Sequence, residues 1–310
     1  MSEQSAPVPV RANRRARFLT LMAVILPPAG LIAGIIMLWG VAFNWTILAV
    51  MVGMYLISGL GITIGYHRLF THKSFETYKP IAFLLGVSGS MALEGPVMRW
   101  VATHRKHHQH SDGDHDPHSP HTEGEGVAGI LKGIWHSHVG WIFDEDTTDL
   151  AKYVPDLQKD KMVRWVSATF PIWVVLGLAI PTAAAGLLTM SWYGALLGLL
   201  WGGFARIFFV HHATWSVNSV CHLWGSKTYR SHDESRNNPI VGILALGEGW
   251  HNNHHAFPTS ARHGLAWWQF DISYIIIKAM EMVGLVWKVR VPTPDRLAAA
   301  KVAVLNEELH

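Results

Sequence analysis

Two long runs of apolar, uncharged residues dominate the chain. Residues 18–66 and residues 165–205 contain no Asp, Glu, Lys or Arg. Because a helix needs about 20 apolar residues to cross a bilayer, each run is long enough for two crossings. The pattern therefore predicts an all-α integral membrane protein with four transmembrane helices. We place these helices at residues 18–40, 46–66, 165–187 and 192–211, with turns near residues 40–45 and 188–193.

Positive charges flank the expected spans on one side. Residues 11–17 ("RANRRAR") precede the first span, Arg68 and Lys73 follow the second, and Lys161 and Arg164 precede the third. Lys and Arg close to the ends of a span mark its cytoplasmic side. The two turns on the opposite side carry no charge. We therefore expect the other residues to form a helical cap at the cytoplasmic face.

The polar segments set the expected domain organisation. Residues 1–17 are basic and contain prolines and small polar residues, which predicts a disordered N-terminus. We expect one membrane domain at residues 18–295 and a C-terminal tail at residues 296–310. Within that domain, residues 272–287 ("ISYIIIKAMEMVGLVW") are apolar but interrupted by charge, which predicts an amphipathic helix on the membrane surface.

The composition agrees with a membrane protein and narrows the possible chemistry. Half of the residues are hydrophobic, and a formal net charge of +3 offers no broad basic face for nucleic acid. The single cysteine, Cys221, excludes an internal disulfide and a thiolate cluster. The 20 histidines, in contrast, are far more than packing requires. A bound metal would therefore be held by nitrogen and oxygen ligands.

Eight histidines fall into three short clusters, "HRLFTH", "HRKHHQH" and "HNNHH". They are His67 and His72, then His104, His107 and His108, and finally His251, His254 and His255. Spacings of three and four residues place side chains on one side of a helix, whereas the adjacent His107 and His108 point about 100° apart and can serve two metals. Burying so many imidazoles without a shared ligand costs desolvation at each ring, so the clusters predict a metal site. Imidazole binds Zn, Cu, Fe and Ni, and the spacing does not choose among them.

Other patterns of metal binding fit less well. The H-E-x-x-H string of zinc proteases does not occur, and the E-x-x-H matches at Glu248–His251 and Glu307–His310 are interpreted as chance. A metal transporter would need ionisable ligands at mid-membrane, which the uncharged runs do not supply. Isolated histidines are interpreted as hydrogen-bonded core or surface residues, namely His136, His138, His232, His263 and His310.

The three clusters in this order resemble the H-x4-H, H-x2-HH and H-x2-HH boxes of the membrane-bound fatty-acid desaturases, in particular the Δ9 group that includes stearoyl-CoA desaturase. The resemblance runs from about residue 65 to residue 285 and extends to "SDGDHDPH", "SHVGW" and "TWSVNSVCHLWG". It implies O2-dependent desaturation of a long-chain fatty acyl group, most often at Δ9 with a cis double bond. It also implies two non-haem irons as cofactor and O2 as co-substrate.

The resemblance also implies roles for individual residues. One iron would take His67, His72, His104, His107 and His254; the other would take His108, His222, His251 and His255, with Asn218 bound through water. Trp100 and Trp215 would line the substrate channel and bend the acyl chain. Acidic residues are expected to hydrogen-bond the ligands from outside, and the candidates are Asp112, Asp114, Asp116 and Glu248.

The sequence departs from the animal acyl-CoA enzymes, which carry an Arg-Asp pair before the second box where this chain has Ala102 and Thr103. "GPVMRW" and "SARHGLAWW" are more similar to bacterial, cyanobacterial and plant members, so the acyl carrier is either CoA or a lipid. We expect a bacterial inner membrane location with the site facing the cytoplasm, and a separate electron donor of the ferredoxin or cytochrome b5 type with its reductase. The alternatives are a hydroxylase or alkane-oxidising enzyme with a similar site, and a non-catalytic metal-binding or transport protein.

Overall fold

The computed structural model describes residues 14–38, 44–144 and 148–301, and this part of the chain is mainly helical with almost no sheet. Four of its helices are long and apolar enough to cross a membrane, which confirms the predicted fold class. They are span 1 (Arg17–Met37), span 2 (Trp45–Thr71), span 3 (Phe170–Thr189) and span 4 (Trp192–Leu223).

The bounds of all four spans differ from the predicted ones at one end or both. Span 3 begins at Phe170, not at residue 165, because residues Lys161–Ala168 form a separate amphipathic helix. The side chain of Asp160 caps the first turn of that helix. The helix of span 1 begins at Arg14, so residues 14–17 are helical and not disordered. The turn after span 3 lies where it was predicted, with Met190 in the left-handed region (φ 49°). The predicted first turn falls largely outside the described residues.

Spans 2 and 4 extend further than predicted, and both change helix type along their length. Span 2 consists of α2 (Trp45–Leu60) and a π-helical segment (Gly61–Thr71). Span 4 consists of α10 (Trp192–Leu197), a π-helical segment (Gly198–Ala205) and α11 (Arg206–Leu223). The apolar pattern ends before these helices do because their last turns bury polar side chains inside the protein. These last turns hold part of the candidate site.

Span 4 also contains a buried charge that the uncharged runs did not lead us to expect. The guanidinium of Arg206 is fully buried. It donates hydrogen bonds to the backbone oxygens of Met91 and Gly177, each at 2.6 Å, and of Gly202 at 3.1 Å. These three carbonyls satisfy the donors of Arg206, which ties span 4 to span 3 and to the segment before residue 97.

Shorter helices cover one end of the spans and form the cap. These are α3 (Lys79–Ser90), α4 (Val97–His110), α5 (Gly126–His138), α6 (Leu150–Tyr153), α7 (Pro155–Lys159), α8 (Lys161–Ala168), α12 (Pro239–Leu244), α13 (His251–Ala256), α14 (Ile272–Met282) and α15 (Pro294–Ala300). A 3-10 turn (Gly140–Phe143) follows α5, and the strands Glu76–Thr77 and Val286–Trp287 pair antiparallel. Helix α14 is amphipathic as predicted, since Ile277 is fully buried while Met282 is 85% exposed.

The predicted boundary between domain and tail at residue 296 falls inside α15. Pro294 starts this helix and Thr293 caps it. The helix is attached to the cap, because the backbone N–H of Arg230 donates to the backbone oxygen of Ala300 at 2.8 Å. Residues up to 301 therefore belong to the membrane domain, and residues 302–310 lie outside the described part.

The close approach of span 2 to α3 depends on glycine. A Cβ atom at Gly61 would lie 2.1 Å from the backbone nitrogen of Gly89 and 2.4 Å from the backbone carbon of Ser88. We expect Gly61→Ala to force the two helices apart and to lower the free energy of unfolding by about 1–3 kcal/mol. Gly53→Ala, in the same span, is the matched control because a Cβ there meets nothing within 4 Å. Thermal unfolding of both variants in detergent measures the difference, and equal melting temperatures would contradict this packing.

Candidate metal centre

Four separate elements bring nine histidines together at the cap end of the spans. The end of span 2 supplies His67, and His72 follows one residue after that helix. Helix α4 supplies His104, His107 and His108; α11 supplies His222; and α13 supplies His251, His254 and His255. The last turns of spans 2 and 4 are thus close to α4 and α13.

The ring nitrogens of these histidines form two compact groups. We name the first group A, and it consists of His67, His72, His104, His108 and His254. Its ligand atoms all lie within 4.8 Å of one another. The Nε2 atoms of His67 and His254 are 3.0 Å apart, those of His108 and His254 are 2.9 Å apart, and those of His104 and His72 are 3.2 Å apart.

The second group, which we name group B, consists of His107, His222, His251 and His255. All four residues are buried. The Nε2 atom of His222 is 3.0 Å from that of His251, and the Nε2 atom of His107 is 3.4 Å from that of His255. Groups A and B adjoin each other, since the rings of His108 and His255 are stacked with centroids 4.4 Å apart.

The structure corrects the expected partition of the two adjacent histidines of α4. His107 lies in group B and His108 in group A, the reverse of the assignment by resemblance. The reason is helical geometry: relative to His104, residue 108 is rotated by about 40° and residue 107 by about 60° in the opposite sense. The Nε2 atoms of His108 and His104 are accordingly 3.1 Å apart. The two rings do face different groups, as their sequence adjacency predicted.

Three aspartates hold the outer nitrogens of group B. The Nδ1 atom of His107 lies 3.0 Å from both oxygens of Asp116, and that of His222 lies 2.9 Å from Asp112. Asp112 and Asp116 were predicted for this role, whereas Asp114 is exposed in the turn between them. The third partner was missed: Asp233 is hydrogen-bonded to Nδ1 of His255. It lies 22 positions before that histidine, in "SHDES", where spacing gives no signal.

Glu248, also predicted, is the carboxylate behind group A, and it belongs to a buried network. Its Oε2 atom lies 2.7 Å from Nδ1 of His67 and 3.0 Å from Nδ1 of His263. Arg68 is 3.3 Å from the other oxygen of Glu248 and 3.0 Å from Asp271. His263, interpreted from the sequence as a hydrogen-bonded core or surface residue, is fully buried with its ring centroid 4.5 Å from that of His254.

Burial and hydrogen bonds set the charges of the site. Burial alone would lower the pKa of His107, but the charge and hydrogen bond of Asp116 raise it. Burial lowers the pKa of His72, His104, His108, His251 and His254 well below the usual value. Burial alone would raise the pKa of Asp112 and Asp116, but the hydrogen bonds and charge of His222 and His107 lower it. A neutral imidazole has a free lone pair, which is the form that binds a metal.

The donor set fits bound metal ions. The ionised Asp116 and Asp233 only accept hydrogen bonds, so His107 and His255 each donate from Nδ1. In the neutral form that binds metal, each ring then points a lone pair on Nε2 at the other. Two lone pairs at 3.4 Å repel each other unless a cation lies between them. Two imidazole nitrogens bound to one metal at about 2.1 Å and at right angles are about 3.0 Å apart, close to the spacings in both groups. Each group could therefore hold one metal ion.

Of the two tryptophans that were predicted to line the substrate channel, Trp100 contacts group A directly, whereas the ring contacts of Trp215 are with histidines of neither group. Asn218 is half-buried and one helical turn before His222, on the same face of α11. The indole of Trp100 is stacked on His104 with centroids 5.1 Å apart, and its Nε1 donates to Glu94 at 3.0 Å. Trp215 is buried and its ring lies 4.7 Å from that of His211. A cavity of about 360 Å³ opens between residues 69–79 and residues 157–163, and neither tryptophan lines it.

These features define an integral membrane protein with two adjacent groups of histidines that could hold metal ions. Residues 43–287 match the family model described as fatty acid desaturase. The chain belongs to the fatty acid desaturase family, and it is an enzyme of the desaturase type.

Three curated relatives illustrate the range of this family. The chain is 42% identical over 285 residues to the hex-5-enoyl-[acyl-carrier protein] acetylenase of Moorena producens, covering 91% of this chain and 89% of that protein. It is 41% identical over 256 residues to the chloroplastic palmitoyl-monogalactosyldiacylglycerol delta-7 desaturase of Arabidopsis thaliana, covering 81% and 64%. It is 39% identical over 251 residues to the sn-1 stearoyl-lipid 9-desaturase of Anabaena variabilis, covering 80% and 85%.

Proposed function

We propose that the chain catalyses O2-dependent desaturation of a long-chain fatty acyl group, at Δ9 and with cis geometry, using two non-haem irons held by groups A and B. The single observation that carries this proposal is the convergence of nine histidines from distant parts of the chain into two adjacent groups. The position Δ9 is supported by similarity to stearoyl-lipid 9-desaturases.

The choice of iron follows from the reaction. Removing two hydrogens from unactivated methylene groups is beyond a general base and beyond a hydrolytic zinc site. When bound, the iron pair supplies the activation of O2 and the abstraction of hydrogen that this reaction needs. The protein supplies neutral imidazoles of fixed orientation, and Asp112, Asp116, Asp233 and Glu248 fix the rings from outside. Asn218 would reach the group B metal through a water molecule.

The residues around the groups position the acyl chain and exclude water. Trp100 covers His104 and is itself held by Glu94, while Trp215 is packed among the imidazoles of α11. In our proposal these two indoles line the substrate channel and set its bend beside group A. The carbon atoms that lie at the bend are the ones that lose hydrogen.

We infer that the acyl carrier is a glycerolipid. The support is the absence of the Arg-Asp pair of the animal acyl-CoA enzymes, together with relatives named for stearoyl-lipid and palmitoyl-monogalactosyldiacylglycerol. A coenzyme A thioester is the alternative carrier. Electrons come from a separate donor of the ferredoxin or cytochrome b5 type on the cytoplasmic side of a bacterial inner membrane, as the basic flanks of the spans favour.

A second candidate reaction is suggested by a relative. The 42% identity to an acetylenase makes conversion of an existing double bond to a triple bond an alternative outcome at the same site. A hydroxylase would keep the same ligands and leave an alcohol. All three reactions are distinguished by their products, since only desaturation of a saturated chain yields a new alkene.

The direct test is the fatty-acid profile of a desaturase-deficient host that expresses the chain with a compatible electron donor. Gas chromatography with mass spectrometry should show cis-Δ9 monounsaturated chains for wild type and none for His108→Ala. Analysis of separated lipid and acyl-CoA fractions after a short pulse identifies the carrier. Hydroxylated or acetylenic products without new alkenes, from a protein shown to contain iron, would refute the proposed reaction.

A further inference from the structure

Groups A and B differ in what holds their imidazoles from outside. In group B three of the four rings have a carboxylate of their own, in the pairs His107–Asp116, His222–Asp112 and His255–Asp233. In group A, within the described part of the chain, Glu248 behind His67 is the one carboxylate bonded to any of the five rings.

The carboxylates behind group B are themselves fixed. Asp116 accepts hydrogen bonds from the backbone nitrogens of Asp112 at 2.8 Å and His118 at 3.0 Å. Asp112 accepts from the backbone nitrogen of Glu234 at 2.8 Å. Asp233 accepts from both the backbone and the hydroxyl of Ser235. Each aspartate is therefore oriented toward its imidazole before any metal binds.

The carboxylate behind group A is shared with other partners. Glu248 contacts His263 as well as His67, and the guanidinium of Arg68 lies 3.3 Å from it. Arg68 offsets the negative charge of Glu248. Behind group B the half-buried Lys106 attracts Asp116, but more of the negative charge of the three aspartates is left uncompensated in the described part of the chain. The local charge around group B is therefore more negative than around group A.

The groups also differ in burial. All four histidines of group B are buried, but His72, His104 and His108 of group A are only half-buried. A metal in group A is thus more accessible to water and to a competing ligand. The greater exposure of group A and the more negative surroundings of group B both favour tighter binding of a metal in group B.

These contacts have a known effect on metal affinity. A carboxylate that accepts a hydrogen bond from a ligating imidazole makes the ring a stronger donor, and its loss typically costs about 10–100-fold in affinity. Group A has one more imidazole than group B, which favours group A. The three dedicated carboxylates, the more negative surroundings and the full burial of group B outweigh that single neutral ligand.

We propose that the two metal positions are unequal, so that group B is the tight position and group A is the labile position that loses its metal first. This inference rests on the proposed function, in which both groups bind metal. On losing metal, the protein would pass through a form with one metal in group B. That form would be folded but could not complete a reaction that needs two metals.

Stepwise removal of metal from the purified full-length protein tests this inference. Wild type, loaded anaerobically with Co2+ or Fe2+ in detergent, is exposed to increasing chelator, and the metal retained per chain is measured by mass spectrometry. We expect two separate losses. His72→Ala in group A should abolish the loss at low chelator concentration and leave the loss at high concentration unchanged. His251→Ala in group B should abolish the loss at high chelator concentration.

The carboxylate variants test the cause. Asp112→Asn and Asp233→Asn should each weaken the tight position by about 10–100-fold, and Asp114→Asn, at the exposed aspartate of the same loop as Asp112, should change neither. A single loss of both metals together, or prior loss from group B, overturns the inference even if the enzyme desaturates. Failure to bind two metals at all would instead refute the proposed function. If a variant fails to fold, a single joint loss of both metals from wild type still overturns the inference.

Discussion

His255→Ala is expected to abolish desaturation and to remove the metal of group B. His255 contributes an Nε2 atom to group B and is fixed by Asp233 on its other side. A catalytic metal lowers the activation free energy by several kcal/mol, so loss of the group B ion should lower the rate by a factor of about 1,000 or more. Product formation in membranes and the iron content of purified protein measure the two effects together.

The matched control for this variant is His115→Ala. His115 is exposed in the loop after α4 and belongs to neither group. We expect wild-type activity and iron content from it. If His255→Ala retains two irons and more than a small fraction of the activity, then group B does not hold a catalytic metal.

Arg68→Met is expected to destabilise the fold strongly and to disturb group A. Arg68 is fully buried and contacts both Asp271 and Glu248, so its removal leaves two buried carboxylates without their cation. Breaking a buried ion pair from one side costs about 3–5 kcal/mol. The melting temperature in detergent should therefore fall by about 10 °C. Since Glu248 also fixes His67, the metal content should fall as well.

Lys278→Met is the control variant, because it removes one partner of an ion pair on the protein surface. Lys278 pairs with Glu281 on the surface of α14, where solvent screens the interaction. This variant should leave both the melting temperature and the metal content unchanged. A melting temperature of Arg68→Met that equals that of Lys278→Met would show that the buried network does not stabilise the protein.

The sequence predicted the existence of the four spans and the grouping of the clustered histidines well, because both leave strong local signals. A long uncharged and apolar run is compatible with few structures other than a membrane helix, and three histidine clusters are conspicuous in an apolar chain. The ends of the spans were not predictable in the same way. Spans 2 and 4 continue through polar residues, since those residues face the site and not water.

The supporting residues were harder to predict because they are distant in sequence. Asp233 reaches His255 through a loop, and Glu248, Arg68 and His263 meet only after span 2 has packed against the segment before α13. The assignment of His107 and His108 depended on small differences in rotation around α4, which a sequence does not specify. The local pattern thus predicted which clustered histidines come together, and tertiary packing decides how they are held.

The relatives show why the reaction position needs its own experiment. Three proteins that are 39–42% identical to most of this chain are named for reactions at different positions of the acyl chain and on different acyl carriers. In our proposal the channel around Trp100 and Trp215 decides which carbon atoms reach the metal pair. Trp100 stacks on His104 of group A, whereas Trp215 packs against His211, which belongs to neither group.

The most direct measurement is the location of iron in the iron-loaded protein by anomalous X-ray scattering. The account predicts two iron positions, one bonded to the Nε2 atoms of His67, His72, His104, His108 and His254, and the other bonded to those of His107, His222, His251 and His255. One iron alone at full loading, or iron bound at other histidines such as His138 and His212, would contradict it.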